Sequence, residues 1–501
     1  MYQTKKEWLQ QKFKMLCGGM VLMGKYETIL NFCFKKGYFY PSNEIYESIA
    51  GFYDYGPIGA RIKRKIVDIW RNVFIDRPGF HEVESTIIGP EIMYQASGHV
   101  DEFTDPAAEC LNCHSIIRVD KLIEEKLGIP WDGKMETLES IHNQHKLKCP
   151  VCGGDIGKFR KVNLMFSTTI GYGGTAAYLR PETAQGIYTS AIRNAKTLGL
   201  KLPFGIGQLG KVFRNEISPR QGLLRLREFS QLELEYFVDP NNFNCSIYDR
   251  YKDMSIPFMA QDGKAVKSVK IGKLLDEGKI NKPFGSLLGM DMEILTRAGV
   301  DMSKVRFRHL RDDEKAHYSK ISVDVEIETA AGILEVISNA HRTDYDLGRH
   351  QKFSGKNLTL QTEKGNIVPN CVESSIGLDR LFYCVIDHCY KEASKERENE
   401  WLSISREIAP YDVAVFPLER RDGLDAKAKG VMDILTSSGH SVFYSETGSI
   451  GRRYARADEI GIPLSITVDY EMLDSETVTL RDRESMKQER IKVPDALKRI
   501  S

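Results

Sequence analysis

The residues of this chain that are best placed for chemistry lie at positions 211–239, where the sequence predicts two long strands joined by a polar loop. Successive side chains on a strand point to opposite faces, so Arg214 and Glu216 share one face of the first strand. Arg225 and Phe229 share a face of the second strand for the same reason. Guanidinium groups suit phosphate oxygens, an aromatic ring suits a base, and carboxylates suit amino groups or Mg²⁺. The surface therefore fits a nucleoside triphosphate, and a solvated face with ordinary cross-strand ion pairs fits the pattern equally well.

Two other segments contain carboxylate side chains, one at a predicted helix start and one on a predicted strand. Glu182 falls in the first turn of a helix predicted to begin at Pro181, where a carboxylate can also act simply as a partner of the helix dipole. Glu373 and Ser375 are two residues apart on a predicted strand and therefore share a face. The strand turns into a helix whose first turns contain Arg380. This region thus combines an anion-binding side chain with a carboxylate and a hydroxyl group.

Four of the ten cysteines form two CxxC pairs, and this spacing predicts a metal site. A CxxC turn can aim both sulfur atoms at one tetrahedral ion, so Cys110, Cys113, Cys149 and Cys152 match a structural zinc site. Free thiols are the alternative. The other six cysteines are scattered, which suits a reducing compartment better than a disulfide framework.

The composition is that of an ordinary globular protein. The 501 residues suggest about three domains, and 42% of them are hydrophobic and 28% charged. The formal net charge of +1 gives no overall sign of nucleic-acid binding, so any such surface must be local. No apolar run approaches the length of a membrane span, and residues 1–24 make a poor signal peptide. We therefore expect a cytoplasmic protein without a membrane partner, in which residues 1–24 are an N-terminal extension.

A long helix is predicted ahead of the hairpin. Pro57 opens it, and Ile62, Ile66 and Trp70 fall on one apolar stripe, followed by a predicted strand over residues 80–88. Periodicity alone describes an amphipathic helix that packs on a core.

Two later segments differ in character. Residues 241–305 are polar and rich in lysine, which fits either a contact with nucleic acid or a solvated face. Beyond residue 411, short predicted strands alternate with helical segments, which indicates a small α/β domain. Its basic residues cluster only at Arg452, Arg453 and Arg456.

Several segments resemble one enzyme family. FRNEISPRQGLLRLREF is similar to the second signature motif of class II aminoacyl-tRNA synthetases, and RPETAQG matches a run typical of glycyl-tRNA synthetases. The segment around ESSIGLDRLF resembles the third motif, and residues 57–88 resemble the first, which builds the dimer interface in the family. The order and spacing of these motifs make the resemblance specific. The chain departs from the family at Ser374, where proline is common.

The resemblance implies a role in ATP binding for six residues of the hairpin and the third motif, five of which would contact ATP directly. It implies that Arg214 holds the α-phosphate, where fixed guanidinium groups stabilise the charge that develops during attack. Arg225 and Arg380 would hold the γ-phosphate. Phe229 would stack on adenine, and Glu216 would accept a hydrogen bond from its amino group.

The resemblance also implies the glycine and magnesium ligands. Glu182, Glu233 and Ser375 would bind glycine, and Glu373 would bind ATP by helping to hold Mg²⁺. The residues expected to be catalytic are Arg214, Arg380 and Glu373.

The fold implied by the resemblance is α+β, with the antiparallel sheet of a class II synthetase flanked by helices. Its parts would be a catalytic domain at 25–400, with a zinc-type insertion at 105–160 and a second insertion at 241–305, and a C-terminal α/β anticodon-binding domain at 411–501. The expected activity is ligation of glycine to tRNA(Gly) through glycyl adenylate. The expected enzyme is a cytoplasmic homodimer that uses ATP, Mg²⁺ and a structural Zn²⁺.

The sequence argues against three other functions. Another class IIa synthetase, for threonine, proline or histidine, would not be expected to contain RPETAQG and QLELEYF. A synthetase-like subunit that binds nucleic acid without catalysis would be expected to lack Arg214 or Arg380, and both are present. An ATP-dependent amino-acid ligase unrelated to tRNA would have no reason to carry the C-terminal domain.

Overall fold

A computed structural model of the chain describes residues 24–219, 222–363 and 365–500. Apart from Gly24, the expected N-terminal extension at 1–24 lies outside the described residues. The helix Lys25–Lys36 follows directly and ends at Gly37, whose positive φ of 71° closes the helix.

A nine-stranded sheet forms the centre of the protein. Most neighbouring strands are antiparallel, and a parallel pair lies near each edge. The predicted α+β fold with a mainly antiparallel sheet is confirmed. From one edge to the other, the strands are Val266–Lys270, Ser255–Met259, Val305–His309, Ser322–Thr329, Gly332–Thr343, Asn370–Gly377, Glu228–Val238, Phe204–Phe213 and His81–Glu82.

The predicted hairpin is present, but its second strand is shorter than the sequence indicates. Phe204–Phe213 pairs antiparallel with Glu228–Val238. The alternation at Leu224 and Leu226 predicted strand there, and this was wrong, because both residues belong to the connecting loop. They are 5% and 6% exposed and pack into the main core, so their apolar character reflects burial of the loop.

Helices cover both faces of the central sheet. On one face Pro57–Trp70, Lys282–Arg297 and Leu378–Cys389 share the main hydrophobic core. On the other face Ala184–Leu198 packs against the end of the hairpin near Phe237. Next to this helix the sheet has an open area on the same face.

The predicted helix at Pro57 is confirmed and extends into a short π-helical segment, Arg71–Asp76. The single strand predicted over residues 80–88 is wrong, because the structure has two short strands that join different sheets, His81–Glu82 and Ile88–Pro90.

Residues 104–163 form a small unit with an apolar cluster of its own. Its three-stranded sheet and its two helices are Thr104–Glu109, Ile116–Arg118, Arg160–Asn163, Val119–Leu127 and Met135–His145.

Residues 241–305 contribute to the central sheet and its core. They supply the two edge strands Ser255–Met259 and Val266–Lys270 and the helix Lys282–Arg297, on which Phe284, Leu287 and Ile294 are fully buried. This lysine-rich segment is therefore also part of the folded core.

The C-terminal unit is a five-stranded mixed sheet with four helices. In sheet order, and then in chain order for the helices, its elements are Val442–Tyr444, Val413–Pro417, Leu464–Val468, Thr477–Asp482, Gln488–Lys492, Leu424–Ser437, Ile450–Glu459, Glu471–Ser475 and Val493–Ile500. The predicted basic cluster does not form one exposed surface, because Arg453 is buried and donates to the carbonyl groups of Pro417 and Leu418. Only Arg452 and Arg456 of that cluster are exposed.

The remaining helices and strands complete the protein between these units. They are Phe39–Pro41, Tyr53–Tyr55, Glu91–Ser97, His99–Glu102, Phe166–Ile170, Thr175–Leu179, Tyr248–Tyr251, Ile271–Asp276, Met302–Lys304, Tyr345–Ser354, Leu360–Thr362, Gly365–Ile367, Tyr390–Lys391, Trp401–Leu402 and Arg406–Ile408. Among the described residues, no helix has the length and apolar character needed to cross a membrane.

Candidate active site

A cavity of about 310 Å³ lies over the open area of the sheet. Every residue implied to bind ATP or glycine lines it: Glu182, Arg214, Glu216, Arg225, Phe229, Glu233, Glu373, Ser375 and Arg380. The structure thus brings the predicted site residues together, while their individual roles stay predictions.

Glu233 lies at the floor of the cavity and is held by two hydroxyl groups. Ser375 is directly opposite it on the neighbouring strand, and Ser375 Oγ donates to Glu233 Oε1 at 2.9 Å. The hydroxyl group of Thr183 donates to the other carboxylate oxygen. Burial and the nearby charge of Glu182 raise the pKa of Glu233, and together they outweigh the two hydroxyl groups and the charge of Arg342, which favour its charged form.

Glu182 precedes its helix instead of lying in the first turn. The helix begins at Ala184, so the helix-start prediction at Pro181 was early. Glu182 accepts from Gln185 Nε2 at 2.8 Å, and its carboxylate lies 3.5 Å from His99 Nε2. Burial acts to raise the pKa of Glu182, but His99, Arg342 and Gln185 outweigh it and hold the pKa below its ordinary value.

Arg342 is a central residue of the cavity that sequence reasoning missed. It is 3% exposed, and it forms ion pairs with Asp346 at 2.8 Å and with Glu373 at 3.0 Å. Burial raises the pKa of Glu373 to about 7, with the charges of Glu233 and Glu182 adding to the shift and Arg342 opposing it. Arg342 lies in AHRTDYDLGRH, a segment whose sequence does not reveal that its arginine is buried.

Arg214 is fixed between the backbone and two aromatic rings. It follows the first hairpin strand, and its Nε donates to the carbonyl of Pro181 at 3.1 Å. The guanidinium carbon lies 5.2 Å from the ring centroid of Phe229 and 5.4 Å from that of Phe103. These contacts orient the guanidinium group at the cavity wall.

Arg225 and Arg380 add positive charge to the same part of the cavity. Arg225 Nε lies 3.6 Å from Glu216 Oε2, and both residues belong to the loop and not to the strands that the sequence predicted. Arg380 donates to the carbonyls of Leu224 and Glu335 at 3.0 and 2.8 Å. Burial lowers the pKa of Arg380, and the charges of Arg214 and Arg225 add to this effect. An anionic ligand would relieve this repulsion.

A second acidic patch, also missed from the sequence, lines the cavity near Arg380. It consists of Asp324 and Glu335, with Ser338 donating to Asp324 Oδ1 at 2.9 Å. Burial, with help from the charge of Glu335, raises the pKa of Asp324 to about 7. Strand alternation alone could have placed Asp324 and Glu335 on neighbouring strands, but it could not show which face is open.

The four CxxC cysteines form a separate cluster in the small unit at 104–163. The Sγ atoms of Cys110, Cys113, Cys149 and Cys152 all lie within 4.8 Å of one another. Backbone N–H groups point at three of these sulfur atoms, those of Cys110, Cys149 and Cys152. Hydrogen bonds from Ser115 lower the pKa of Cys113 to about 6. The donor set and its spacing fit a tetrahedral metal ion.

Comparison with known families agrees with this architecture. Residues 171–389 match the profile of the tRNA synthetase class II core domain (G, H, P, S and T). Residues 412–501 match the profile of the anticodon binding domain.

Curated relatives match nearly the whole chain. A glycine–tRNA ligase of Methanocaldococcus jannaschii is 36% identical, over 94% of this chain and 97% of its own. Those of Aeropyrum pernix and Thermococcus sibiricus are each 36% identical over 95% of this chain, and cover 96% and 98% of their own lengths. The resemblance inferred from the motifs is therefore confirmed, and the chain belongs to the glycine–tRNA ligase family of class II aminoacyl-tRNA synthetases.

Proposed function

We propose that this chain activates glycine with ATP and transfers the glycyl group to the 3′ end of tRNA(Gly). The observation that carries the proposal is the cavity itself, which holds two adjoining groups of opposite charge. One group contains the carboxylates of Glu182 and Glu233, and the other contains the guanidinium groups of Arg214, Arg225 and Arg380. The carboxylates would attract the ammonium group of an amino acid, and the guanidinium groups would attract a triphosphate.

The carboxylate group suits the ammonium of a small amino acid. Glu182 is held in its charged form, and its charge raises the pKa of Glu233, so a cation bound between them would be favoured. Thr183 and Ser375 fix the position of Glu233 and leave it little freedom to move aside. A methyl group alone discriminates by about 1–3 kcal/mol, and a crowded, charged pocket can reject alanine more strongly.

The arginine group suits the first chemical step. A carboxylate oxygen of glycine attacks the α-phosphorus of ATP, the new P–O bond forms, and pyrophosphate leaves with the electrons of the broken bond. Arg214 would stabilise the charge that develops on the α-phosphate, while Arg225 and Arg380 hold the γ-phosphate. Phe229 would stack on adenine, and Glu216 would accept from its amino group. In the second step a terminal ribose hydroxyl of the tRNA attacks the carbonyl carbon, and AMP leaves.

Mg²⁺ fits the carboxylates of the cavity. Glu373 and Glu335 both line it, and carboxylate oxygens are the ligands that Mg²⁺ prefers. When bound, the ion would neutralise phosphate charge.

The parts around the cavity would have structural and recognition roles. The four cysteines would hold a structural Zn²⁺, because a closed thiolate shell leaves no position for substrate. Residues 25–400 would catalyse the reaction, with insertions at 105–160 and 241–305, and residues 411–501 would recognise the anticodon, in line with the profile matched at 412–501. The homodimer stays a prediction of the family resemblance, and the cytoplasmic location stays a prediction of the sequence.

Pyrophosphate exchange, measured separately with each of the twenty amino acids, tests the function. Exchange is expected with glycine and not with alanine or serine. Charging of a tRNA(Gly) transcript with labelled glycine tests the second step. Exchange driven by threonine, proline or histidine, or none with any amino acid, would refute the proposal.

A further inference from the structure

A buried aspartate lies on the inward side of a helix that supports the candidate active site. The helix Lys282–Arg297 buries Phe284, Leu287 and Ile294 completely, and Asp291 is equally buried, with 0% exposure. Moving a carboxylate out of water costs free energy unless hydrogen bonds compensate, and an apolar side chain at such a position is often no less stable. The stability of the helix alone therefore does not account for Asp291.

Asp291 accepts hydrogen bonds from two strands of the active-site sheet. Ser374 Oγ donates to Asp291 Oδ1 at 2.9 Å, and Asn339 Nδ2 donates to Asp291 Oδ2 at 2.7 Å. Ser374 and Asn339 lie directly opposite each other in the pairing of Asn370–Gly377 with Gly332–Thr343. The carboxylate of Asp291 thus links two residues that face each other on neighbouring strands, and it does so from the face of the sheet that packs on the helix.

The neighbours of both donors face the cavity, because successive strand residues point to opposite faces. Ser374 and Asn339 are themselves 1% and 0% exposed, and the cavity lies on the other side of the sheet. The flanking residues that line the cavity are Glu373, Ser375, Ser338 and Ala340. Each of these four residues is therefore only one peptide bond away from Ser374 or Asn339, the two residues that Asp291 holds.

We propose that Asp291 is a positioning residue for glycine activation. By holding Ser374 against Asn339, it fixes the strand Asn370–Gly377 and so fixes the position of Ser375, which pairs with Glu233 across the other edge of that strand. The departure from proline at Ser374 supplies the hydroxyl group that this link requires. The inference rests on the proposed function, since it concerns the glycine end of the cavity. It makes the segment 241–305, which carries Asp291, a support of the active site.

Two variants test the link in the full-length protein. Ser374→Ala removes one donor and leaves little empty space, and Asp291→Asn keeps the shape of the side chain but removes the charge and one acceptor. Both are expected to raise the glycine KM in pyrophosphate exchange by about three- to tenfold, because small displacements of binding groups weaken a precise site. The ATP KM should change less, since of the residues implied to bind ATP only Glu373 flanks Ser374, and Arg214, Arg225 and Phe229 lie on the hairpin and its loop.

Asp387→Asn is a matched control. Asp387 is also buried, at 2% exposure, and accepts from Tyr383 and from the backbone N–H of Ala330, but it does not touch the cavity strands beside the site residues. This variant should lose thermal stability and keep the glycine KM of the unchanged protein.

The outcomes separate the two proposals. An unchanged glycine KM in Ser374→Ala would overturn the positioning role, and so would an equal rise in the Asp387 control. Should Asp291→Asn fail to fold, Ser374→Ala decides alone. Absence of glycine-dependent exchange in the unchanged protein would instead refute the proposed function.

Discussion

Glu233 and Ser375 lie directly opposite each other on neighbouring strands, and the hydroxyl of Ser375 donates to the carboxylate of Glu233 at 2.9 Å. Thr183 donates to the other oxygen of the same carboxylate. Even with these two donors, burial and the charge of Glu182 keep the pKa of Glu233 raised. The ammonium group of an amino acid bound beside Glu182 and Glu233 would add positive charge and so favour the charged form of Glu233.

We therefore expect Glu182→Gln and Glu233→Gln each to raise the glycine KM by about ten- to a hundredfold, the value of a hydrogen bond to a charged group. The ATP KM should change little, because neither Glu182 nor Glu233 is among the residues implied to bind ATP. Pyrophosphate exchange at varied glycine and ATP concentrations measures both constants.

Glu235→Gln is the control for this pair of variants. Glu235 lies on the same strand two residues further on, is fully buried, and accepts from Tyr188 and Cys371 without lining the cavity. Its substitution should leave the glycine KM unaltered. If Glu182→Gln and Glu233→Gln behave like this control, the amino-acid pocket lies elsewhere.

Arg214→Ala should lower the exchange rate about a hundred- to a thousandfold, the effect of removing one donor that stabilises transition-state charge. Circular dichroism should show an intact fold. Arg227→Ala provides the comparison, because Arg227 donates to the backbone carbonyls of Glu216 and Ala50 and does not line the cavity. A rate near that of the unchanged protein in Arg214→Ala would remove Arg214 from the mechanism.

The parts of the site that lie on strands were predictable from the sequence. The alternation of side chains correctly put Glu233 on the polar face of its strand, and it put Glu373 and Ser375 together on theirs, because strand geometry is a local property. The third-motif helix begins at Leu378 with Arg380 in its first turn, as the pattern indicates.

The parts that depend on contacts distant in sequence were not predictable. Leu224 and Leu226 alternate like a strand but are buried loop residues, and a sequence does not distinguish these cases. Arg342 and Asp291 act from segments that look like an ordinary strand end and an ordinary apolar helix. Only the fold shows that both are buried beside the active site.

The four-cysteine cluster should bind about one zinc ion per chain, the content of one tetrathiolate site. Elemental analysis of protein prepared without chelator measures this directly. Cys110→Ser should lose the metal and lower the thermal midpoint. Cys389→Ser, which alters a cysteine outside the cluster, should keep it. Protein with no metal in such a preparation would mean that the four cysteines are free thiols.

The last prediction concerns pH and follows from Asp324, whose pKa burial raises to about 7. An unfolded aspartate has a pKa of about 3.9, so the folded state favours the protonated form, and the associated stability is lost as pH rises through about 7. Between about pH 6 and about pH 8 one such group lowers the free energy of unfolding by about 1 kcal/mol. Thermal unfolding of the ligand-free protein should therefore occur at a lower temperature at the higher pH. Asp324→Asn should reduce that difference, and Asp262→Asn, at an exposed position, should not. An Asp324→Asn variant with the same pH dependence as the unchanged protein would show that Asp324 is already charged in the folded protein at neutral pH.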